Sequence, residues 1–566
     1  MKVRLWGLVG LLLVGALALS LCGHGTRAEE PLPALLSGRV YDSQGQAVEG
    51  ASVALHTAQP GEALSEAMIQ SNGLFALLLP EAIPDSLTVH IERAHFEETD
   101  IGLSPAAIEA LRAGQSVVLP DTTLARQTSL AFWMATLIFV GMLVVIAAGV
   151  LHNTLAALVG TSLVLAVSYL GPFLSEDLFI FDFSRALGYV DWNVIFLIMG
   201  MMIVIAVVER TGIFQWTAYQ AYRLSGGRLW LLLPILMVVT GVASAFLDNV
   251  TTMLLMTPIS IQIAIALGVN PLALLLPEVM ASNVVGISTL IGTPTNILIG
   301  SYAGITFNDF LVNLTPGVLL ALVALVVYNE FIYRHELAAS EGEGVSSLLM
   351  DKLAERGRIT EPEHLRKAAV VGAGMLALFV FGEQIHLVPA VTALIGATAL
   401  LVWIQPDVKE MIEAVDWTTL VFFISLFVVV GAIQEVGLIS VIADLIGRLV
   451  GVNLLLAMLV VTWSSALAST VVANIPFTAA MLPVVGYLTL TIPGAESQVL
   501  FYCLSVGAAM GGNGSLIGAS ANMVTAGIAE RAGHPISYIY FLKKGFPALI
   551  LTVALAFLWL MLRFLV

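Results

Sequence analysis

Charged residues are scarce in this sequence. Asp, Glu, Lys and Arg together make up 11% of the 566 residues, whereas hydrophobic residues make up 58%. A soluble domain carries about 25% charged residues, because its surface must face water. The composition therefore excludes a soluble globular protein and predicts an all-α polytopic membrane protein.

Cysteine is nearly absent, with only Cys22 and Cys503 in the chain. Two cysteines exclude a disulfide framework, and no group of Cys and His residues has the spacing of a metal site. The sequence also contains no Ser-His-Asp set and no Walker motif. We therefore expect no enzyme, no ATP-driven pump, no catalytic residue, no bound metal centre and no organic cofactor.

Basic residues are few in the N-terminal segment. Residues 29–128 contain fourteen acidic and four basic residues, so this segment holds most of the net charge of −16. A strongly acidic segment repels nucleic acids and anionic membrane surfaces. We expect neither of them as a partner.

The first 28 residues have the pattern of a signal peptide. Lys2 and Arg4 form a basic start, residues 8–21 form an apolar core, and residues 26–28 offer a cleavage site. An uncleaved first helix is the alternative. In both cases the following segment is expected outside the cytoplasm, in a multi-pass protein of the cell (inner) membrane.

Residues 34–125 differ in character from the rest of the chain. They contain short alternating runs, separated by turn signals such as residues 42–45 and 71–73. Short strands with turns at regular intervals predict a small β-sandwich. The predicted strands are 37–41, 51–56, 75–79 and 87–92.

Two sets of seven long apolar segments begin at residue 130, and a charged linker over residues 335–367 separates them. Long apolar runs of this kind predict membrane helices. The first set is 130–151, 154–173, 192–208, 229–247, 251–267, 272–304 and 312–333. The second set is 368–386, 388–405, 417–433, 454–472, 477–492, 498–529 and 546–565.

The two sets are copies of one pattern. Asp191 recurs as Asp416 at an offset of 225, and Gly212 recurs as Gly437 at the same offset. We therefore predict two homologous repeats, at 129–334 and 368–566, joined by a cytoplasmic linker.

Two segments of each repeat flank a polar stretch, and we interpret these pairs, 229–267 and 454–492, as re-entrant hairpins. Polar backbone at membrane depth is tolerated only where it is buried in protein or lines a cavity. Five full crossings then remain in each repeat, and an odd number places the second repeat upside down relative to the first. Lys and Arg are concentrated in the loops that this topology places in the cytoplasm, as the positive-inside rule requires.

Polar runs interrupt the apolar sequence at matching places in the two repeats. Residues 245–252 and 292–296 are followed by 474–478 and 518–522, at offsets of 225 and 226. Paired breaks at membrane depth predict a transport site at the repeat interface. Unwound helices expose carbonyl oxygens that suit Na⁺ and amides that suit an anion. Close helix packing through Gly and Ser is the alternative interpretation.

Two carboxylates, Asp248 and Glu278, lie within these apolar regions. A carboxylate inside a membrane is costly, so it marks an ion path or a paired structural charge. Their equivalents in the second repeat are Ala473 and Leu504, so the two repeats differ here. We expect Asp248 to take the coupling ion, H⁺ or Na⁺.

The predicted ion- or substrate-binding residues have polar side chains at the hairpin tips or along the interrupted helices. They are Asp248, Asn249, Thr251, Glu278, Asn283, Thr293, Thr295, Asn296, Asn474, Thr478, Asn513, Ser520 and Asn522. Asp191 and Asp416 each precede a tryptophan, and we interpret them as helix N-caps or interface anchors.

These runs resemble the ion transporter superfamily. The resemblance is carried by residues 245–252, 278–283, 474–478 and 511–522, and it extends over residues 130–566. Within the superfamily the chain is most similar to the ArsB/NhaD group, which includes the P protein and citrate transporter-like permeases. The resemblance implies an inward-opening first hairpin and an outward-opening second hairpin. In the dicarboxylate branch, the corresponding places bind Na⁺ and substrate.

The N-terminal segment resembles a carboxypeptidase-regulatory-like or transthyretin-like domain. Residues 38–53 and 72–75 carry this second resemblance, which implies an adhesive or packing module.

Two departures from the group leave the substrate open. The group often has Gly-Asp-Pro-Pro-Asn where this chain has Gly-Thr-Pro-Thr-Asn at 292–296, which is closer to the dicarboxylate branch. Conversely, Asp248 stands where the dicarboxylate branch typically has Ser.

We interpret the chain as an ion-coupled secondary transporter that moves a small inorganic ion or a carboxylate across the lipid bilayer by alternating access. Na⁺/H⁺ antiport and transport of an anion such as arsenite or a carboxylate both remain open, as does a homodimer. The alternative is a membrane-anchored sensor or adhesion protein whose β-domain is the working part.

Overall fold

The structure is a computed structural model that describes residues 35–565, apart from 43–44, 46, 58–62, 80–82, 227, 340–354 and 356. The predicted signal peptide lies outside the described residues. The chain divides into two compact units, with the boundary between Gln127 and Thr128.

The first unit contains two four-stranded sheets. Its strands are β1 (Leu35–Asp42), β2 (Ser52–Thr57), β3 (Ser65–Met68), β4 (Leu74–Leu78), β5 (Leu87–Glu92), β6 (Thr99–Gly102), β7 (Val117–Val118) and β8 (Thr122–Leu124), with helix α1 at Pro105–Arg112. In one sheet β4 pairs antiparallel with β1, while β7 and β8 pair parallel with β1. The other sheet has the order β3-β2-β5-β6 and is antiparallel throughout.

One apolar cluster joins residues of both sheets, including Leu36 and Phe75 from the first and Val53 and Ile91 from the second. The four predicted strands correspond to β1, β2, β4 and β5. The short strands β3 and β6 were not predicted. Neither strand has a fully buried residue, so their sequences lack the alternation of apolar and polar residues that indicates a strand. That the unit is a carboxypeptidase-regulatory-like β-sandwich stays a prediction.

The second unit is helical. Its first half contains α2 (Leu130–Ala147), α3 (Asn153–Leu170), α4 (Phe183–Gly188), α5 (Trp192–Glu209), α6 (Ile213–Ser225), α7 (Leu229–Phe246), α8 (Asn249–Ala266), α9 (Leu272–Val285), α10 (Pro294–Ala303), α11 (Phe307–Ile332) and α12 (Arg334–Ala339).

The second half repeats this order. It contains α13 (Pro362–Phe381), α14 (Pro389–Ile404), α15 (Val408–Glu413), α16 (Trp417–Glu435), α17 (Leu438–Val450), α18 (Leu454–Val471), α19 (Asn474–Thr491), α20 (Val499–Gly511), α21 (Ser520–Arg531) and α22 (Tyr538–Phe564). Within the described residues, eleven helices are long and apolar enough to cross a membrane. The prediction of a polytopic helical membrane protein is confirmed.

The sequence prediction missed the short helices α1, α4, α12 and α15 and two longer ones, α6 and α17. α6 and α17 each follow a glycine with positive φ, Gly212 and Gly437. Each helix has 13 residues and carries polar and charged residues on one side. For this reason neither sequence has the long apolar run by which the membrane helices were predicted.

Three predicted helix starts were wrong by five residues or more. α13 begins at Pro362 rather than at 368, so it takes in the end of the predicted linker. α11 begins at Phe307 rather than at 312, because Thr306 and Asp309 form a capping box that starts the helix in polar sequence. α22 begins at Tyr538 rather than at 546, because Ser537 caps it and its first turns include Lys543 and Lys544.

Candidate functional site

The tip of the first hairpin is a tight joint of two residues, Leu247 and Asp248, between α7 and α8. The Asp248 carboxylate caps α8: its Oδ1 accepts hydrogen bonds from the backbone N–H groups of Val250 and Thr251, both at 2.9 Å. Its Oδ2 accepts a third bond, from the Thr251 hydroxyl at 2.5 Å. Asp248 is therefore firmly oriented in the tip.

The second hairpin has the same form without the carboxylate. Val472 and Ala473 join α18 to α19, and no side chain caps α19. Asn474 is buried at the start of α19, and the Thr478 hydroxyl donates to its carbonyl oxygen at 2.8 Å. The charge of the two tips thus differs, as the sequence predicted.

Both predicted helix breaks are present. In the first half the chain leaves the helix after α9, forms a single 3-10 turn at Gly286–Ser288 and re-enters at α10. The Asn296 amide donates to the carbonyl oxygens of Ile287 at 2.9 Å and Thr289 at 2.8 Å, so it ties the two sides of the break together. Next to it, the hydroxyls of Thr293 and Thr295 are 3.1 Å apart.

The second break repeats this arrangement at the same offset. The Asn522 amide donates to the carbonyl oxygens of Gly512 at 2.8 Å and Ser515 at 2.9 Å. The Ser515 hydroxyl donates to the Thr470 carbonyl at the adjacent hairpin tip. In the first half the Thr289 hydroxyl makes the equivalent bond to the Ala245 carbonyl. Each hairpin tip is thus bonded to the break of its own half.

A network of asparagine side chains joins the two halves. Asn249 donates to the Asn283 Oδ1 at 2.9 Å, and Asn283 donates to Asn513 at 2.9 Å and to Asn522 at 3.0 Å. All four side chains are at most 5% exposed. Buried amides that satisfy one another fix a single register between the elements that carry them.

A cavity of about 500 Å³ lies beside this network and receives residues from both halves. Of the predicted residues, Asp248, Thr251 and Ser520 lie on its wall. The first residues of two half-helices, Pro294 of α10 and Ser520 of α21, also line it. The remaining predicted residues are buried off its wall. They are Asn249, Glu278, Asn283, Thr293, Thr295, Asn296, Asn474, Thr478, Asn513 and Asn522.

The cavity wall also holds polar residues that the sequence did not identify as site residues. They are His152, Asn153, Thr154, Glu209, Asp416, Thr418 and Thr419. Asp416 is a helix N-cap, as predicted, and accepts a bond from the Thr419 N–H at 3.1 Å, yet it faces the cavity as well. The sequence offers no signal that separates Asp416 from Asp191, the equivalent N-cap 225 residues earlier, which does not line the cavity.

The electrostatics of the wall favour a cation beside an anion. Three carboxylates, Glu209, Asp248 and Asp416, line the cavity, and its described lining residues include no Lys or Arg. Two half-helix N-termini contribute partial positive charge at the same wall. The wall can therefore accommodate an anion together with a cation, or cations alone.

A helical membrane unit with a cavity between two similar halves is typical of secondary membrane transporters. The sequence profile described as "Citrate transporter" matches residues 141–500, which is more than half of the chain. The chain belongs to this family.

Curated relatives agree with that assignment. The chain is 37% identical over 440 residues to an uncharacterized transporter of Mycobacterium tuberculosis, with 76% of this chain and 99% of the relative covered. It is 36% identical over 434 residues to a 46 kDa membrane protein of Mycobacterium leprae, with the same coverage. It is 32% identical over 504 residues to the P protein of Homo sapiens, of which 59% is covered.

Proposed function

We propose that the protein is an ion-coupled secondary transporter that moves a small anion across the membrane by alternating access. The observation that carries this proposal is the cavity, whose wall includes the tips of both hairpins and the first residues of both half-helices. Half-helix N-termini are suited to an anionic substrate, and the carbonyl oxygens of unwound helices are suited to Na⁺. A carboxylate such as citrate, the substrate class in the family's name, fits this description.

The membrane topology belongs to the same proposal. We place the two halves, 129–334 and 368–566, as inverted repeats, with re-entrant hairpins at α7–α8 and α18–α19. The linker over residues 335–367 and the helix ends at Glu209 and Asp416, which line the cavity, then lie on the cytoplasmic side. The β-rich unit then lies on the extracytoplasmic side of the cell (inner) membrane.

Na⁺/H⁺ antiport is a second candidate, favoured by the acidic lining of the cavity. In that case the carboxylates of Asp248 and Asp416 bind the transported cations themselves. A pH-gradient assay in proteoliposomes with Na⁺, Li⁺, arsenite and citrate separates the candidates. Transport of arsenite or citrate supports the anion carrier, whereas proton movement driven by Na⁺ or Li⁺ alone supports the antiporter.

Replacing Asp248 by Asn should remove the cation or pH dependence of transport, because the substitution removes the charge of the first tip. We expect transport driven by a cation gradient to fall about tenfold or more, equivalent to about 1.4 kcal/mol of lost cation binding. Asn is itself a good N-cap, so α8 should keep its start.

The matched control is Asp191→Asn. Asp191 caps α5 in the same manner, through bonds from Asn193 N–H at 3.0 Å and Val194 N–H at 3.3 Å, but it does not line the cavity. This variant should keep its cation dependence. Unchanged cation and pH dependence in Asp248→Asn would refute the role of Asp248.

Deleting residues 34–125 tests the alternative that the β-rich unit is the working part of a sensor or adhesion protein. The β-rich unit forms its own apolar cluster and the helical unit forms another, so the helical unit should fold without it. We expect substrate transport in proteoliposomes to continue at a similar rate. A shortened chain that folds but transports nothing would favour the alternative.

A further inference from the structure

Glu278 lies in a separate closed site between α7, α8 and α9. Its side chain is 0% exposed, and its Oε2 accepts hydrogen bonds from the hydroxyls of Thr240 and Ser260, both at 3.0 Å. Its other oxygen, Oε1, is buried and has no hydrogen-bond partner among the described residues. A buried carboxyl oxygen without a partner has lone pairs that can take a proton.

No charged group compensates Glu278. α7 and α8 contain no titratable residue, and Asp248 at the joint between them is bonded to Thr251 and α8. In the described part of the chain, Glu278 forms no ion pair. Its carboxylate accepts hydrogen bonds from the hydroxyls of Thr240 and Ser260. The titratable or charged residues on the other helices packed against α9 are Asp309, Tyr328, Glu330, Tyr502, Cys503, Glu530, Arg531, Tyr538, Tyr540, Lys543, Lys544 and Arg563. Ionised Glu278 would therefore be an unpaired charge in an apolar interior, which is strongly unfavourable.

The second half shows that the fold does not require a carboxyl group at this place. The equivalent of Glu278 is Leu504, and the equivalent of Thr240 is Ser465. Leu504 is fully buried, and the Ser465 hydroxyl has no partner in the described structure. Helix packing is thus satisfied by leucine in one half, so packing alone does not explain a glutamate in the other.

A row of polar side chains, which are not hydrogen-bonded to Glu278 itself, lies between Glu278 and the hairpin tip. Ser282 lies one helical turn further along α9, about 6 Å from Glu278 along the helix axis. Its hydroxyl donates to the Ser244 hydroxyl at 2.9 Å. Next to Ser282, Asn283 accepts the bond from Asn249 at the tip. Hydroxyl groups both donate and accept, so water that fills the gap beside Glu278 would complete a polar route through an apolar interface.

We propose that Glu278 binds and releases a proton during the transport cycle, at a site separate from the cavity. In the arrangement described here, Oε1 carries the proton and Oε2 accepts the two hydroxyl bonds. When α7 and α8 shift relative to α9 and water reaches the row, the O–H bond breaks, the proton passes to water and the carboxylate remains. This inference depends on the proposed transport function, and it leaves Asp248 to bind a cation in the cavity.

The test is an infrared titration of the full-length protein in lipid vesicles, which needs no substrate. Difference spectra between mildly acidic and mildly alkaline buffer should contain the carbonyl band of a protonated carboxyl group, and Glu278→Gln should remove it. Identical spectra for the two proteins would overturn the proposal.

Two further variants separate this role from a structural one. Glu278→Leu copies the second half, so it should remove the band while the protein melts no lower than the natural chain. Thr240→Ala should change the pH midpoint of the band, because it removes a donor to Oε2, whereas the matched Ser465→Ala should leave it where it is. Equal effects of Thr240→Ala and Ser465→Ala would contradict the assignment.

A transport assay distinguishes failure of this inference from failure of the proposed function. With Na⁺, Li⁺, arsenite and citrate as probes, Glu278→Gln should lose the pH dependence of net transport but retain substrate exchange. If the variant transports a probe with unchanged pH dependence, Glu278 is not the proton site and the transporter assignment stands. If the natural chain moves no probe, the proposed function fails, and the infrared titration still reports on Glu278.

Discussion

Replacing Asn283 by Ala should destabilise the helical unit and stop transport. The substitution removes the side chain that bonds to Asn249, Asn513 and Asn522, so three buried polar groups lose a partner. Each buried polar group left unsatisfied costs about 1–3 kcal/mol, so we expect a loss of at least ~3 kcal/mol. Thermal unfolding of the purified protein in detergent, followed by fluorescence, measures the loss.

The matched control for this prediction is Asn329→Ala. Asn329 is equally buried, but among the described residues its amide bonds only to the Leu325 carbonyl of its own helix, at 2.9 Å. Its removal should cost about 1 kcal/mol. If Asn283→Ala and Asn329→Ala unfold at the same temperature, the asparagine network does not hold the two halves in register.

Replacing Gly292 by Ala should disrupt the first break. A Cβ atom there would lie 2.4 Å from the Gly286 carbonyl oxygen and 2.6 Å from that of Ser244, where real Cβ atoms essentially never lie. Both obstacles are backbone atoms, so no side-chain rotation relieves the overlap. We expect loss of transport and destabilisation by about 1–3 kcal/mol or more, as is typical of overpacking.

Two glycines provide a graded comparison for Gly292→Ala. At Gly518, the equivalent position in the second half, the Cβ would lie 2.8 Å from the Gly512 and Ser469 carbonyl oxygens, so a smaller effect is expected. At Gly527 in α21 an added Cβ would have no described atom within 4 Å apart from the backbone of its own helix, so Gly527→Ala should be neutral or slightly stabilising. Melting temperature and transport rate should therefore be lowest for Gly292→Ala, higher for Gly518→Ala and highest for Gly527→Ala. Any other order would contradict the close contact between hairpin tip and helix break.

The positions of the hairpin tips and helix breaks could be predicted from the sequence because each polar run occurs twice, once in each half of the chain. A polar run inside one apolar segment is ambiguous, whereas two runs at the same offset of 225 or 226 indicate a shared structural reason. The joints at Asp248 and Ala473 lie within the predicted hairpins. That the repeats are inverted in the membrane stays a prediction, since orientation depends on the bilayer.

The cavity wall was less predictable. His152, Thr154 and Asp416 reach it from α3 and α16, which are far from the tips in sequence. Only packing brings these helices together, for example through the bond from the Thr154 hydroxyl to the Thr418 carbonyl at 2.9 Å. No local pattern encodes such a contact. For the same reason the sequence grouped Glu278 with Asp248, whereas the structure places Glu278 off the cavity wall.

The most direct test of the account is cysteine labelling at the two hairpin tips. Val250 and Ile475 both line the cavity, one from each half, although 225 residues separate them. With Cys22 and Cys503 replaced by Ala, Val250→Cys and Ile475→Cys should react with a membrane-impermeant thiol reagent from the same face of the membrane. Reaction of one from the cytoplasmic face and the other only from the outer face would contradict a shared transport site.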